Sequence, residues 1–428
     1  MGRRLSGTAA AALTLGLLAA CGGGGDDGGG GGDASGKSLE VWIMEGTYPD
    51  TGTYFEDLEA AFTEQTGATL NIQLVPWTEA HEKFTTAAAG DTLPDVSEIG
   101  TTWVPEFAEA AILADLTDRI AEDGLDDDLV EGLQQAGTVE DRLYGMPWYA
   151  GIRALFYRAD VFEEHGLEVP ETWDELREVA LRLKELEPDM IPYPVPGGSE
   201  YSLYPFIWGA GGEVAVPEGD GWAAAINSPE AVEGITYLTE LATEHGLSVA
   251  AADTWNEADA LQSFQDGDAA MIINGAWTVG TLLDADGDWD GKFGVMPVPG
   301  PSGGVSPSFM GGSLAGVIEG TDEPDLSWEL VKLMTTGDFA DRWSTETGFF
   351  PGQQTLLETY TERDDPYIAP FAEQMAEGGK LLPITDRFGT VQAEEIPQQM
   401  MLSILTGSKD VQTAADDAAA AMDRIFQD

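Results

Sequence analysis

Among 428 residues there are one cysteine and three histidines. A single thiol forms no internal disulfide. His81, His165 and His245 stand far apart on helical stretches or at their ends, and no group of Cys and His has metal-ligand spacing. The HExxH, GxSxG and P-loop patterns are absent, and neither Gly197-Gly198 nor Gly209-Ala210-Gly211-Gly212 leads into a phosphate-binding pattern. Basic residues are scarce: 19 Lys and Arg stand against 77 Asp and Glu, a formal charge of −58. Such a chain repels nucleic acid and anionic lipid. A hydrolase with a carboxylate pair stays open as an alternative, but among so many carboxylates chance proximity says almost nothing. Long hydrophobic runs are missing too; residues 9–20 are apolar but too short to span a bilayer comfortably.

What is present is a foldable chain. The acidity is spread along the length and 43% of residues are hydrophobic, so disorder is not expected beyond the first forty residues. This length suits two lobes better than one core. A strongly anionic surface fits an exported protein working at high salt or high pH, where screening weakens self-repulsion; a generally acidic proteome explains it equally well. Arg3 and Arg4, the apolar run and Leu18-Ala19-Ala20-Cys21 resemble a bacterial lipoprotein signal. Residues 1–20 would then be the signal peptide, Cys21 the lipidated first residue, and residues 21–36 a flexible Gly/Asp tether. The plainer alternative is an ordinary signal peptide with an incidental cysteine. Export by the general or the twin-arginine route is open.

The apolar periodicity predicts strands over residues 39–43, 69–75 and 95–99, with helices over 53–65, 77–89 and 103–110 between and after them. This alternation implies an α/β fold with a parallel sheet covered on both faces. Ligands bind beyond the carboxyl ends of such strands, here Glu45-Gly46, Pro76-Trp77 and Gly100 to Trp103. Residues 153–157 form a buried strand, residues 160–165 a short helix stopped by Gly166, and Thr172-Trp173-Asp174-Glu175 a capping box opening a helix to 186. Further helices are expected over 229–245 and 256–266, strands over 269–273 and 293–295, and a loop from Gly311 running into a strand to Ile318. The remainder is mostly helical.

The stretch from Tyr144 to Leu176 resembles the signature of the family 1 extracellular solute-binding proteins of ABC importers, the maltose-binding-protein-like group. Three later stretches are similar to that family's in the same order. These are Phe264 to Trp277, Pro297-Val298-Pro299 with Gly311-Gly312-Ser313, and Gly348-Phe349-Phe350-Pro351. The resemblance runs from about Leu39 to about Phe426. It implies a two-lobed periplasmic-binding-protein-like (type II) α/β fold with crossing strands. Residues 37–150 and 271–310 would form lobe I, and 151–270 and 311–428 lobe II. It also implies a monomeric receptor, anchored outside the membrane through Cys21, that closes on a carbohydrate and delivers it to the permease subunits. No catalysis, cofactor or metal is implied. A polyol or peptide receptor, or a surface adhesion module, are the competing readings.

Twelve tryptophans and eleven tyrosines need places. Trp173, Trp328 and Trp343 lie on helical faces and read as core. Trp103, Trp148-Tyr149, Trp208, Trp255 and Trp277 are read instead as lying at strand ends or in loops. Pyranose rings pack a C–H face on such rings, and their hydroxyls need planar polar partners. Candidates are Glu45, Asp50, Arg153, Asn256 and Arg387. By resemblance, Trp277 stacks on the ligand, Tyr149 borders the cleft at the hinge, and Gly311 and Gly312 offer backbone N–H groups. Trp103 and Trp208 join the candidate site by position alone. Two structural readings compete: Arg153 and Arg387 pairing carboxylates, and Trp103 belonging to the core.

Overall fold

In the computed structural model, residues 34–46, 51–90, 92–219, 221–285, 289–362 and 365–427 are described. The signal, Cys21, nearly all of the tether and Asp50 lie outside them. Seven strands organise the molecule: β1 (Ser38–Glu45), β2 (Thr69–Pro76), β3 (Val96–Gly100), β4 (Met146–Tyr157), β5 (Met271–Gly275), β6 (Gly294–Met296) and β7 (Ser308–Val317). They stand in the order β6-β4-β7-β3-β1-β2, with β5 also on β4. The β1–β2 and β1–β3 pairs are parallel, whereas β7 runs antiparallel to both β3 and β4. The helices Tyr54–Thr66 and Trp77–Gly90 supply the crossovers that parallel neighbours require.

The long strand β4 belongs to two assemblies at once. Its first half, from Met146 to Ile152, pairs with β7. Its second half, from Arg153 to Tyr157, pairs with β5, and Leu155 to Tyr157 also pair with β6. Eleven of its twelve residues are buried, as an apolar, aromatic run with sheet on both sides must be. Two cores result. Leu39, Val41, Tyr54, Phe62, Leu330, Val331 and Trp343 pack in one. Leu155, Trp173, Phe206, Ile235, Met271, Val298, Met401 and Met422 pack in the other. The helices Pro324–Thr335 and Gly337–Thr347 pack with the first core, and Met271 and Val298 with the second.

Local expectations meet two corrections. Thr172 accepts from Glu175 N–H at 3.1 Å, but the Glu175 carboxylate takes Glu171 N–H at 2.8 Å instead of closing the reciprocal box. A complete capping box forms at Asn256, whose Oδ1 accepts from Ala258 and Asp259 while Asp259 accepts from Asn256 N–H. Gly311 and Gly312 lie inside β7, not in a loop before it. Gly312 is required by close approach, because a Cβ there would lie 2.2 Å from the Tyr149 carbonyl oxygen.

Where β3, β4 and β7 converge, Glu98 is fully buried. One carboxylate oxygen accepts from Met44 N–H of β1 at 2.8 Å. The other accepts from Ser313 Oγ of β7 at 2.6 Å and from the Tyr149 hydroxyl of β4. Four strands are tied by one side chain. Burial pushes its carboxyl from the usual 4.5 up to about 7, against the three hydrogen bonds that favour the ionised form. Between these values the folded chain holds a proton that the unfolded chain has lost. This group therefore favours folding most at the acid end of the interval, and stability falls as pH rises through it, by on the order of 3 kcal/mol. Urea unfolding from about pH 5 to about pH 8 should show Glu98→Gln losing this slope relative to wild type. Parallel profiles for the two proteins would show that Glu98 titrates as an exposed carboxylate does.

Candidate ligand-binding cleft

The carboxyl ends of β1, β2 and β3 face the N-termini of the helices Glu200–Gly209 and Glu257–Gln265 across a cleft of about 540 Å³. This lies within the ~300–1,000 Å³ of small-molecule sites. The first wall carries Glu45, Trp77, His81, Thr101 and Trp103; the floor carries Tyr149, Gly151, Gly312 and Ser313; the second wall carries Glu200, Tyr201, Asn256, Glu257, Gln392 and Gln398. Trp277, Phe309 and Phe349 also line the cleft, Trp277 and Phe349 from the first core and Phe309 from the second.

Of the residues expected from sequence, Glu45, Trp103, Tyr149, Arg153, Asn256, Trp277 and Gly312 meet here. Trp208, Gly311 and Arg387 do not line it. Trp208 is 5% exposed and packs on Tyr204 at 5.2 Å in the second core. A Cβ on Gly311 would meet the Phe309 ring at 2.4 Å. Arg387 N-caps the helix Phe388–Ala393, and its side chain pairs with Asp386 at 3.1 Å. Its helix still reaches the cleft through Gly389 and Gln392.

Several candidates carry a structural duty as well. Arg153 grips both oxygens of Glu257, at 3.0 and 3.1 Å, and sits over the rings of Tyr201, Trp277 and Phe309 at 4.2, 4.8 and 5.1 Å. This arginine forms a buried ion pair at the edge of the cleft. The Tyr149 hydroxyl is occupied by Glu98 and Ser313, and its ring stacks on Phe349 at 4.2 Å. Trp277 is only 6% exposed, wedged between Phe349 and Arg153. Trp103 is 8% exposed and packs against Trp77, His81 and Phe107. The Asn256 side chain caps its helix.

The wide, accessible ring is Trp77, half-buried at the carboxyl end of β2, with Trp103 behind it at 5.3 Å and 58°. The signal for it was in the chain, at a strand end where sheet ligands bind. Glu200, Tyr201, Gln392 and Gln398 carried no such signal, because helices far apart in sequence bring them together. Glu395, also at the rim, holds a left-handed backbone with φ 50°, a conformation a non-glycine residue adopts only when its surroundings enforce it.

Comparison with known proteins agrees with this architecture. The family described as bacterial extracellular solute-binding protein matches residues 45–338. The diacetylchitobiose binding protein DasA of Streptomyces coelicolor is 27% identical over 385 residues, covering 89% of this chain and 88% of its own. A solute binding protein of an ABC transporter from Thermotoga lettingae, solved with alpha-D-tagatose, superposes with a TM-score of 0.81 at 24% identity, over 91% of this chain and 100% of its own. The cyclic alpha-maltosyl-1,6-maltose binding protein of Arthrobacter globiformis is 27% identical, with a TM-score of 0.71 over 91% of this chain and 98% of its own. With two lobes, strands that cross between them, and a cleft at the crossing, the chain belongs to the bacterial extracellular solute-binding protein family.

Proposed function

We propose that this protein is the capturing receptor of an ABC importer and that its ligand is a carbohydrate, an oligosaccharide in the simplest reading. The observation that carries this is the cleft itself: an aromatic platform at Trp77 faces a wall dense in hydrogen-bonding side chains. An indole offers a flat apolar face to the C–H side of a pyranose, and planar amides and carboxylates suit its hydroxyls. The ligands named for the relatives, diacetylchitobiose and cyclic maltosyl-maltose, support the same class.

Capture works by hinge closure. The lobes turn about β4 and β7, and a ligand touching both walls favours the closed form by its differential contacts. Core membership supports one lobe formed by residues 37–149 with 315–349 and the other by residues 155–298 with 382–425. The closed receptor then meets the permease, one lobe to each subunit. It acts as a monomer, tethered outside the membrane by a lipid on Cys21, and releases its ligand unchanged. In keeping with binding and not hydrolysis, the Glu257 carboxylate is committed to Arg153 and both Glu200 oxygens to glutamine amides.

A thermal-shift screen over neutral mono- and oligosaccharides tests the reading, since a ligand that binds only the folded state raises the melting temperature. The bound sugar should be recovered intact by chromatography. Failure of every saccharide to shift the transition would sink the reading. Two tryptophan variants should then separate. Trp77→Ala should lower sugar affinity at least ~10-fold, with a smaller loss of unliganded stability than Trp277→Ala, because its ring is only partly buried against Trp103. Trp277→Ala should lower unfolding free energy by ~3–5 kcal/mol, as removal of a packed indole does. Urea unfolding without sugar reads the second effect; an unchanged midpoint would place Trp277 outside the packed core.

A further inference from the structure

The cleft is lined by four carboxylates, Glu45, Glu200, Glu257 and Glu395, and by one guanidinium, that of Arg153. That guanidinium is consumed within the protein, gripped by Glu257 and sandwiched among rings. His81 is turned to Glu106 at 2.9 Å. Two helix N-termini, which would ordinarily attract an anion, open onto the site. Each already carries its own carboxylate in the first turn, Glu200 in one and Glu257 in the other. An acidic ligand has no positive pole left to occupy.

Hydrogen-bond acceptors, by contrast, are in excess. Glu200 is 3% exposed, and its two oxygens accept from Gln392 Nε2 at 2.5 Å and Gln398 Nε2 at 2.7 Å. A carboxylate takes only donors, so it fixes the orientation of both amides. Their carbonyl oxygens are thereby left buried at the cleft without a hydrogen-bond partner. Buried acceptors without donors are unfavourable until something supplies the donors.

We propose that the second wall selects a non-acidic saccharide, whose O–H or N–H groups donate to Gln392 Oε1 and Gln398 Oε1, and that Glu200 is the positioning residue that orients both amides. This rests on the carbohydrate reading and names the ligand class within it. Burial holds Glu200 at about 7, so the ionised form that orients both amides is complete only above that pH. The ionisable groups around it are Arg153 from β4, Glu257 from the helix Glu257–Gln265, and Tyr201 and Tyr204 from its own helix.

The test is calorimetric titration of the full chain with cello-, malto- and chito-oligosaccharides of two to four units and with oligogalacturonates of the same lengths. Uronates should bind at least ~100-fold more weakly than the best neutral series at moderate salt. Wild-type affinity for the neutral ligand should rise between about pH 6 and about pH 8, and Glu200→Gln should lose both this rise and ~10-fold in affinity. Gln398→Met removes one free acceptor at similar volume. Because it also removes the donor to Glu200 Oε2, it should weaken binding ~10-fold and lower the unliganded melting temperature as well. A uronate bound as tightly as its neutral counterpart, or Gln398→Met bound as tightly as wild type, overturns the selection while leaving the carbohydrate reading in place. Absence of binding by every saccharide overturns both.

Discussion

One buried carboxyl sets the terms for the whole molecule. Among the described residues no cation pairs with Glu98, which is held by three donors from three other strands. A carboxyl placed in a sheet interior is tolerable only when its oxygens are hydrogen-bonded, and losing any one donor exposes the desolvation cost of the rest. That requirement fixes the register of β4 against β7, with Tyr149 opposite Ser313, and the ladder shifts immediately afterwards, between Ser313 and Leu314. The same junction is where the chain passes from one core to the other. Any rotation of the lobes has to bend strands that this carboxyl ties together.

The aromatic residues divide by duty. Most build the walls and few face the ligand space. Trp148 stacks on Trp343 at 4.6 Å with neither ring exposed, and Tyr149 meets Trp148 edge-on and stacks on Phe349. Trp277, Phe309 and Tyr201 surround Arg153. This packing gives a rigid base against which a platform such as Trp77 and acceptors such as Gln392 and Gln398 hold their positions, which lowers the entropy lost on binding.

The acidity has a structural side beyond solubility. With a formal charge of −58, some of the few cations join distant segments. Lys37 reaches Glu323, Lys332 reaches Asp123, and Arg342 reaches Asp57. Each exposed pair contributes little alone. Together they draw the helices after β7 onto the first sheet, at points where the surrounding carboxylates would otherwise repel.

Much of the fold was legible because it is written locally. Alternating and helical apolar periods located β1, β2, β3 and their crossover helices to within a residue or two, and the four family-like motifs in order pointed to two lobes. Trp173, Trp328 and Trp343 read as core and are buried. The site was only partly legible. Tyr149, Arg153 and Trp277 reached the cleft, but Trp208 followed its helix into the second core, and Trp77 and Glu200 were not singled out. Which core the helices Pro324–Thr335 and Gly337–Thr347 would join was not in the pattern either. Periodicity states which face of an element is apolar, and that much the chain determined by itself. Which other face covers it, and so which rings and carboxylates remain open to a ligand, depends on contacts between segments up to hundreds of residues apart, and only the tertiary structure decided that.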